Sequence, residues 1–386
     1  MDDNKIFKDK VKLVMIGGVL TRRIYSAFYK HITKREACEP LNLLLSSVFS
    51  VKIVRWDKRL FLDIDPKMVY ISDGIKIFAN TFENTIRADI VIAQGYPTIV
   101  ETVATFFAKM LKKNVVVVLK DTHWYWPKTF ISMILWPIYR KLIEKADAIL
   151  VPGSNAYKFW LLNGLPKSKV YLVHYYWLEA DMKPCKEIPV TLRKIREKFG
   201  FVFLYLGRLI EKRGLYILIE AFYELIQDTG GDSICLILAG EGPLKSTLKR
   251  KVEELGISKY VYFIGAIHED FKACVYKIAD VFVYVPIYTT IPEEWPIPPL
   301  EALKNGVQPI VSSVVGSIPD LHPYVIVVRE GDVENLKNIM MQCLHKRRFL
   351  ERNKNMRIAF ANSINYNTVY NELLNAILST MRNRSR

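Results

Sequence analysis

The chain has 386 residues, 51% of them hydrophobic, and sets 55 Lys and Arg against 39 Asp and Glu for a net charge of +16. This is enough for a large core and two domains, and the charge favours anionic partners such as nucleotide phosphates or an acidic membrane surface. The five scattered cysteines show no CxxC spacing, so they suggest neither a zinc site nor a disulfide framework.

Met1-Asp2-Asp3-Asn4-Lys5 lacks the basic and then apolar regions of a signal peptide, and no run approaches the ~20 apolar residues that span a bilayer. A reducing cytoplasm is therefore the expected compartment. Lys12 to Gly18 reads as a buried parallel strand ending in a tight turn at Gly17 and Gly18, where a backbone can approach a phosphate or sugar. Arg22 to Arg35 has helical period, aromatic residues and a basic face. It suits either an ordinary amphipathic helix or one that meets anionic headgroups. Strand-like runs at Val51 to Arg55, Lys67 to Ile71, Asp89 to Ala93 and Asn114 to Leu119, mostly separated by helical patterns, argue for a parallel sheet covered by helices. Asp63-Ile64-Asp65 spells DxD but meets Pro66 at once and reads as chance.

His123 follows a strand end, where a histidine can orient or deprotonate a hydroxyl; a polar turn among aromatics is the competing reading. The helix from Phe130 to Lys145 is very apolar at its start, which favours buried core over a lipid-facing lip. Asp147 to Pro152 and Val170 to His174 are further strands. Character breaks between Trp177 and Ile188, which places a domain boundary there. The strand-first pattern restarts at Val202 and recurs at Ile234, Tyr260, Val281, Pro309 and Tyr324. Helices are expected from Leu215, Gly242, Phe271 and Pro299, and one more amphipathic helix between Asn365 and Arg386. The expected organisation is two doubly wound domains, 1–180 and 181–364, facing a central cleft, with helix 365–386 crossing back to the first.

Gly207-Arg208-Leu209-Ile210-Glu211-Lys212-Arg213-Gly214 sets three cations and two glycines at a strand-to-helix turn, a composition suited to a diphosphate. Ala239 to Leu244, with Glu241, follows the next strand. Phe263 to His268, with Ile267, ends the one after and offers backbone groups to a nucleobase edge. Glu293 and Glu301 lie eight residues apart around Trp295, Pro296, Pro298 and Pro299, with Glu301 about one turn into a helix. On spacing alone this pair suits a polyhydroxyl ligand or a solvated loop.

The succession GRLIEKRG, LILAGEGPLKSTL, ELGISKYVYFIGAI, IADVFVYVP and EEWPIPPLEALKNGVQPIVSSVVGSIPDL resembles the donor-binding half of the retaining glycosyltransferases of family 4, the glycogen-synthase-like and phosphatidylinositol-mannosyltransferase-like group with the GT-B fold. The N-terminal half resembles that family more loosely. The resemblance implies that Arg208 and Arg213, assisted by Lys212, contact the donor diphosphate, Glu301 the ribose, Glu293 the hexose, Gly17 and Gly18 the sugar and diphosphate, and His123 the acceptor side. It implies a metal-independent, retaining hexosyltransferase without a cofactor, acting on a glycan or lipid-linked acceptor, peripheral at an anionic membrane. Where the family usually has glycine this chain has Pro296, and with Pro298 and Pro299 it forgoes three N–H donors. The alternatives are a nucleotide-sugar epimerase of the same fold and a non-catalytic nucleotide-sugar-binding subunit. No motif for nucleic-acid recognition accompanies the charge.

Overall fold

The computed structural model describes residues 12–16, 50–54, 82–83, 85–94, 99–112, 115–120, 130–174, 182–231, 233–288 and 293–384. Gly17, Gly18, the Arg22 to Arg35 segment, Asp63, Asp65, the Lys67 to Ile71 run and His123 lie outside them. The chain divides into two units, Met1–Leu178 with Asn365–Arg386, and Glu179–Ile364.

The first unit holds β1 (Lys12–Ile16), β2 (Ser50–Val54), β3 (Ile90–Gln94), α1 (Ile99–Leu111), β4 (Val116–Lys120), α2 (Phe130–Glu144), β5 (Ala148–Val151), α3 (Ser154–Leu162) and β6 (Val170–Leu172). The strands form one parallel sheet in the order β2-β1-β3-β4-β5-β6. Val117, Ile149 and Val151 sit in a core closed by Tyr139, Ile143 and Trp160, and Trp136 stacks on Trp160 at 5.7 Å. A parallel strand covered on both faces reads as an unbroken apolar run, as β5 does and as β4 does up to Lys120.

The second unit holds α4 (Val190–Lys198), β7 (Phe201–Leu206), α5 (Leu215–Thr229), β8 (Ile234–Ala239), α6 (Lys245–Glu254), β9 (Val261–Gly265), α7 (Glu269–Lys277), β10 (Val281–Tyr284), α8 (Ile297–Lys304), β11 (Gln308–Ser312), α9 (Ile318–Leu321), β12 (Ile326–Val328), α10 (Val333–His345), α11 (Arg347–Arg352) and α12 (Lys354–Ser363). Its parallel sheet runs β12-β11-β10-β7-β8-β9. Every residue of β7, β8, β10 and β11 is buried. The order reverses between β7 and β10, which pair through Val281 with Phe203 and Phe282 with Leu204. The helix α13 (Tyr366–Arg384) returns to the first unit and packs on β4, β5 and β6. There Glu372 accepts from the His174 backbone N–H at 2.9 Å and lies 2.8 Å from His174 Nδ1.

Two expectations are corrected. Cys185 and Cys274 are disulfide-bonded, with Cα atoms 4.9 Å apart although 89 residues separate them in sequence. Local spacing therefore carried no trace of the pair. The second correction concerns α2, whose apolar start is not all core. Tyr139 and Ile143 face inward, whereas Met133, Ile134 and Ile138 are exposed. Among the described residues no helix is long and apolar enough to cross a membrane.

Candidate functional site

In an open α/β sheet a ligand binds at the carboxyl ends of strands where the strand order reverses. Here that point lies between β7 and β10, and the loops that leave these two strands carry the candidate residues. Arg208, Lys212 and Arg213 follow β7, while Glu293 follows β10.

The two loops are fastened together by backbone. Ile287 N–H donates to the Lys212 carbonyl at 3.1 Å. Gly214 sits at φ +64°, and a Cβ there would stand 2.0 Å from the Val285 carbonyl oxygen. Gly240, at φ +150°, packs likewise on Gly207, with a Cβ position 1.8 Å from its oxygen. Sequence reading assigned the glycines of the β7 loop to phosphate approach. The structure gives Gly207 and Gly214 another reason, the contact of one strand-end loop with the next.

Glu293 is held from every side. Its backbone carbonyl accepts from Gly316 N–H at 2.8 Å. Oε1 lies 2.7 Å from Arg213 Nη1 and accepts from the Tyr284 hydroxyl at 2.7 Å, while Oε2 lies 3.2 Å from Lys212 Nζ. The side chain is only 9% exposed. Burial works to raise the carboxyl pKa, but Arg213, Lys212 and the hydrogen bonds from Arg213 and Tyr284 outweigh it and hold the group below its ordinary value. Arg213 also hydrogen-bonds the Tyr284 hydroxyl and lies 5.1 Å from that ring. Burial opposes the Arg213 cation, and Tyr284 and Glu293 overcome it, raising the guanidinium above its usual value. Arg213 Nε is nevertheless a buried donor with no hydrogen-bond partner. Arg208 stands exposed at the end of β7, and its carbonyl accepts from the Tyr205 hydroxyl at 2.7 Å.

Glu301 lies inside α8 and is 1% exposed. Its Oε1 pairs with Lys272 Nζ at 2.7 Å and its Oε2 accepts from the Tyr276 hydroxyl at 2.9 Å. Both partners come from α7, and Lys272 also reaches Glu269 at 3.1 Å. A charge so buried is tolerable only when paired and hydrogen-bonded, as this one is. Glu241 pairs with Lys245 at 2.6 Å near Gly265, at the ends of β8 and β9, and Ile267 is half-buried just beyond β9.

The start of α8 is depleted of amides. An α-helix leaves its first N–H groups without intrahelical partners, which is why its N-terminus attracts anions. Here Pro296 is the N-cap, Ile297 opens the helix, and Pro298 and Pro299 follow. Ile297 alone keeps an N–H among those four, so positive charge at this edge has to come from side chains.

The structure thus gathers Arg213, Lys212 and Glu293 into one cluster, sets Arg208 beside it, and holds Glu301 in a second cluster through α7. Sequence reasoning missed Tyr284, Tyr276 and Lys272. The tyrosines read as ordinary core positions of a strand and a helix, and the only available signal was a hydroxyl in an otherwise apolar run. Among the described residues no three or more His, Cys, Asp or Glu converge as a metal site requires.

Residues 192–361 match the family of glycosyl transferases group 1. This segment is a glycosyl transferases group 1 domain. It contains Arg208, Lys212, Arg213, Glu293 and Glu301 together, and it bears out the resemblance of the second half. The chain is similar to an uncharacterized glycosyltransferase of Methanocaldococcus jannaschii, 32% identical over 184 residues that cover 46% of this chain and 45% of that protein. It is also similar to the GDP-mannose-dependent alpha-(1-6)-phosphatidylinositol monomannoside mannosyltransferase of Mycolicibacterium smegmatis, 32% identical over 143 residues, 34% of this chain and 36% of that one. The chain thus spans less than half of each of these curated relatives. In fold it is similar to Anabaena Alr3699/HepE, solved with UDP, at a TM-score of 0.69 and 16% identity over 96% of this chain and 100% of that one. The group 1 domain is accordingly the second of two parallel-sheet, Rossmann-like units of a GT-B fold.

Proposed function

We propose that the chain is a glycosyltransferase that moves a hexose from a nucleoside-diphosphate sugar to an acceptor hydroxyl with retention of anomeric configuration, without a metal. The observation that carries this reading is the cluster at the β7–β10 reversal, where Arg213 grips Glu293 yet keeps a buried Nε donor unmet. A buried donor without a partner costs about 1–3 kcal/mol, and a phosphate oxygen of the donor would relieve that cost. Arg213 can then bridge Glu293 and the diphosphate, with Lys212 and Arg208 completing the positive wall.

The chemistry asked of these residues is charge stabilisation. As the anomeric carbon–oxygen bond breaks, negative charge builds on the departing diphosphate, and fixed cations lower that barrier most effectively where water is excluded. The acceptor oxygen bonds to the anomeric carbon on the face the phosphate leaves, and the acceptor proton passes to the departing phosphate oxygen. Glu293 holds hexose hydroxyls and is not a nucleophile. Glu301 serves the ribose, and Gly17, Gly18 and His123 are assigned to the sugar and acceptor side by family resemblance alone. The phosphatidylinositol mannoside named for the Mycolicibacterium relative supports a lipid-linked acceptor reached from the membrane surface.

The test is nucleoside diphosphate release from UDP-, GDP- and ADP-hexoses with wild-type protein and with Glu293→Ala. Release with one donor, lost in the variant while the fold survives, supports the reading. Unchanged turnover in Glu293→Ala, or no release from any donor, overturns it.

A further inference from the structure

Seven of the fourteen exposed large hydrophobic side chains among the described residues belong to two helices. On α1 they are Val103, Phe107, Met110 and Leu111, and on α2 they are Met133, Ile134 and Ile138, each between 41% and 70% exposed. The α1 set follows the i, i+4, i+7, i+8 spacing of one helical stripe. It is a second stripe, opposite the one that packs on the sheet with Ala104 and Ala108, which are fully buried. Strands β3, β4 and β5 advance in one direction across the sheet. Right-handed crossovers therefore set α1 and α2 side by side on the same sheet face, and the two helices are in contact. Both neighbouring helices thus turn an apolar stripe away from the sheet.

The stripe on α2 ends in cations. Ile134 and Ile138 continue through exposed Lys141 to exposed Lys145, and α1 is followed by Lys112, partly exposed. Two carboxylates at these helix ends are partnered, Glu144 with Arg140 at 3.0 Å and Asp89 with Lys112 at 3.9 Å. The charge of the chain is divided just as unevenly. Residues 1–178 and 365–386 carry 30 Lys and Arg against 16 Asp and Glu, a net +14, whereas residues 179–364 carry 25 against 23, a net +2. The unit that shows the apolar surface thus carries nearly all of the excess positive charge.

We infer that the α1–α2 face is a docking surface for an anionic lipid bilayer. Aliphatic and aromatic side chains enter the headgroup boundary while lysines at the helix ends reach the phosphates. The charge favours this occupant over a second copy of the same chain, which would bring two net +14 units together. The inference extends the membrane-surface element of the proposed function, but it concerns binding and stands on residues outside the group 1 domain.

The experiment uses the full chain and sedimentation with vesicles of phosphatidylcholine alone or mixed with phosphatidylglycerol. One variant combines Phe107→Ser, Met110→Ser, Ile134→Ser and Ile138→Ser, a second combines Lys141→Gln and Lys145→Gln, and a control carries Phe349→Ser and Met356→Ser in the other unit. Thermal melts of all four proteins establish that each is folded. The expected result is at least tenfold tighter binding to the anionic vesicles, lost at least tenfold in the serine variant, weakened in the glutamine variant and kept in the control. Equal binding by wild type and serine variant, or a wild type that stays in the supernatant, overturns the inference. So does a lipid-free dimer that the serine variant dissociates, because the face is then a protein interface. Nucleoside diphosphate release, measured in parallel without lipid, reports on the transferase reading separately.

Discussion

Replacing Tyr284 with Phe removes one oxygen from the middle of the candidate site. The ring is 2% exposed, stacks on Phe282 at 6.1 Å and lies against Arg213, and phenylalanine keeps those contacts. What is lost is the hydroxyl, which donates to Glu293 at 2.7 Å and accepts from Arg213. A hydrogen bond to a charged group contributes about 1.5–3 kcal/mol, and the low exposure of Glu293 argues against screening by water. Taking about 2 kcal/mol, a unit of this size should melt roughly 4–8 °C lower. If the hydroxyl fixes Glu293 against the hexose, kcat/KM should fall about 30-fold, because each 1.36 kcal/mol is tenfold. Differential scanning calorimetry and donor-dependent kinetics measure the two effects. A Tyr284→Phe protein with wild-type melting and wild-type kcat/KM would refute the reasoning, since the hydroxyl would then hold nothing that matters.

Three further outcomes are expected. Lys272→Met leaves Glu301 buried with only Tyr276 as a partner, and should lower stability in urea titrations by about 3–5 kcal/mol while weakening nucleotide affinity. Glu293 has a depressed carboxyl pKa, so its contribution is complete above the ordinary carboxylate value of about 4.3 and is lost as pH falls through the lower folded value. Urea titrations repeated on the acid side should show that component in wild type and not in Glu293→Gln. Reducing the Cys185–Cys274 bond with a dithiol should destabilise the second unit by about 2–4 kcal/mol, read as a lower melting temperature in wild type and no change in Cys185→Ser/Cys274→Ser.

Much of the fold was legible because parallel strands declare themselves locally. ICLILA at Ile234–Ala239 and FVFLYL at Phe201–Leu206 are unbroken apolar runs, buried at every position. Helix starts were less legible, because tertiary context sets the first turn. The helix expected from Gly242 begins at Lys245 after a turn, and the one expected from Phe271 begins at Glu269, where the His268 side chain accepts from Asp270 N–H at 3.4 Å. Of the site, the cations after β7 and the paired glutamates could be named from their order along the chain. Lys272, Tyr276 and Tyr284 could not, since their importance lies in what faces them across the fold. The disulfide was hidden for the same reason. The outward stripe of α2 was legible only as the less favoured reading, because Met133, Ile134 and Ile138 add a second apolar face to a helix start with no polar contrast to mark which side meets solvent.

The prolines at the head of α8 have one more consequence. A helix terminus is a fixed partial charge that neither titrates nor moves, and it holds an anion with little help from side chains. With only Ile297 keeping its N–H among the first four groups, this site gives up most of that fixed field. What replaces it is carried by Arg208, Lys212 and Arg213, of which Arg213 and Lys212 are fixed on Glu293 while exposed Arg208 is open to screening by dissolved ions. Ionic strength thereby becomes a control variable for the candidate site, and added electrolyte should loosen donor binding as it screens the exposed cations.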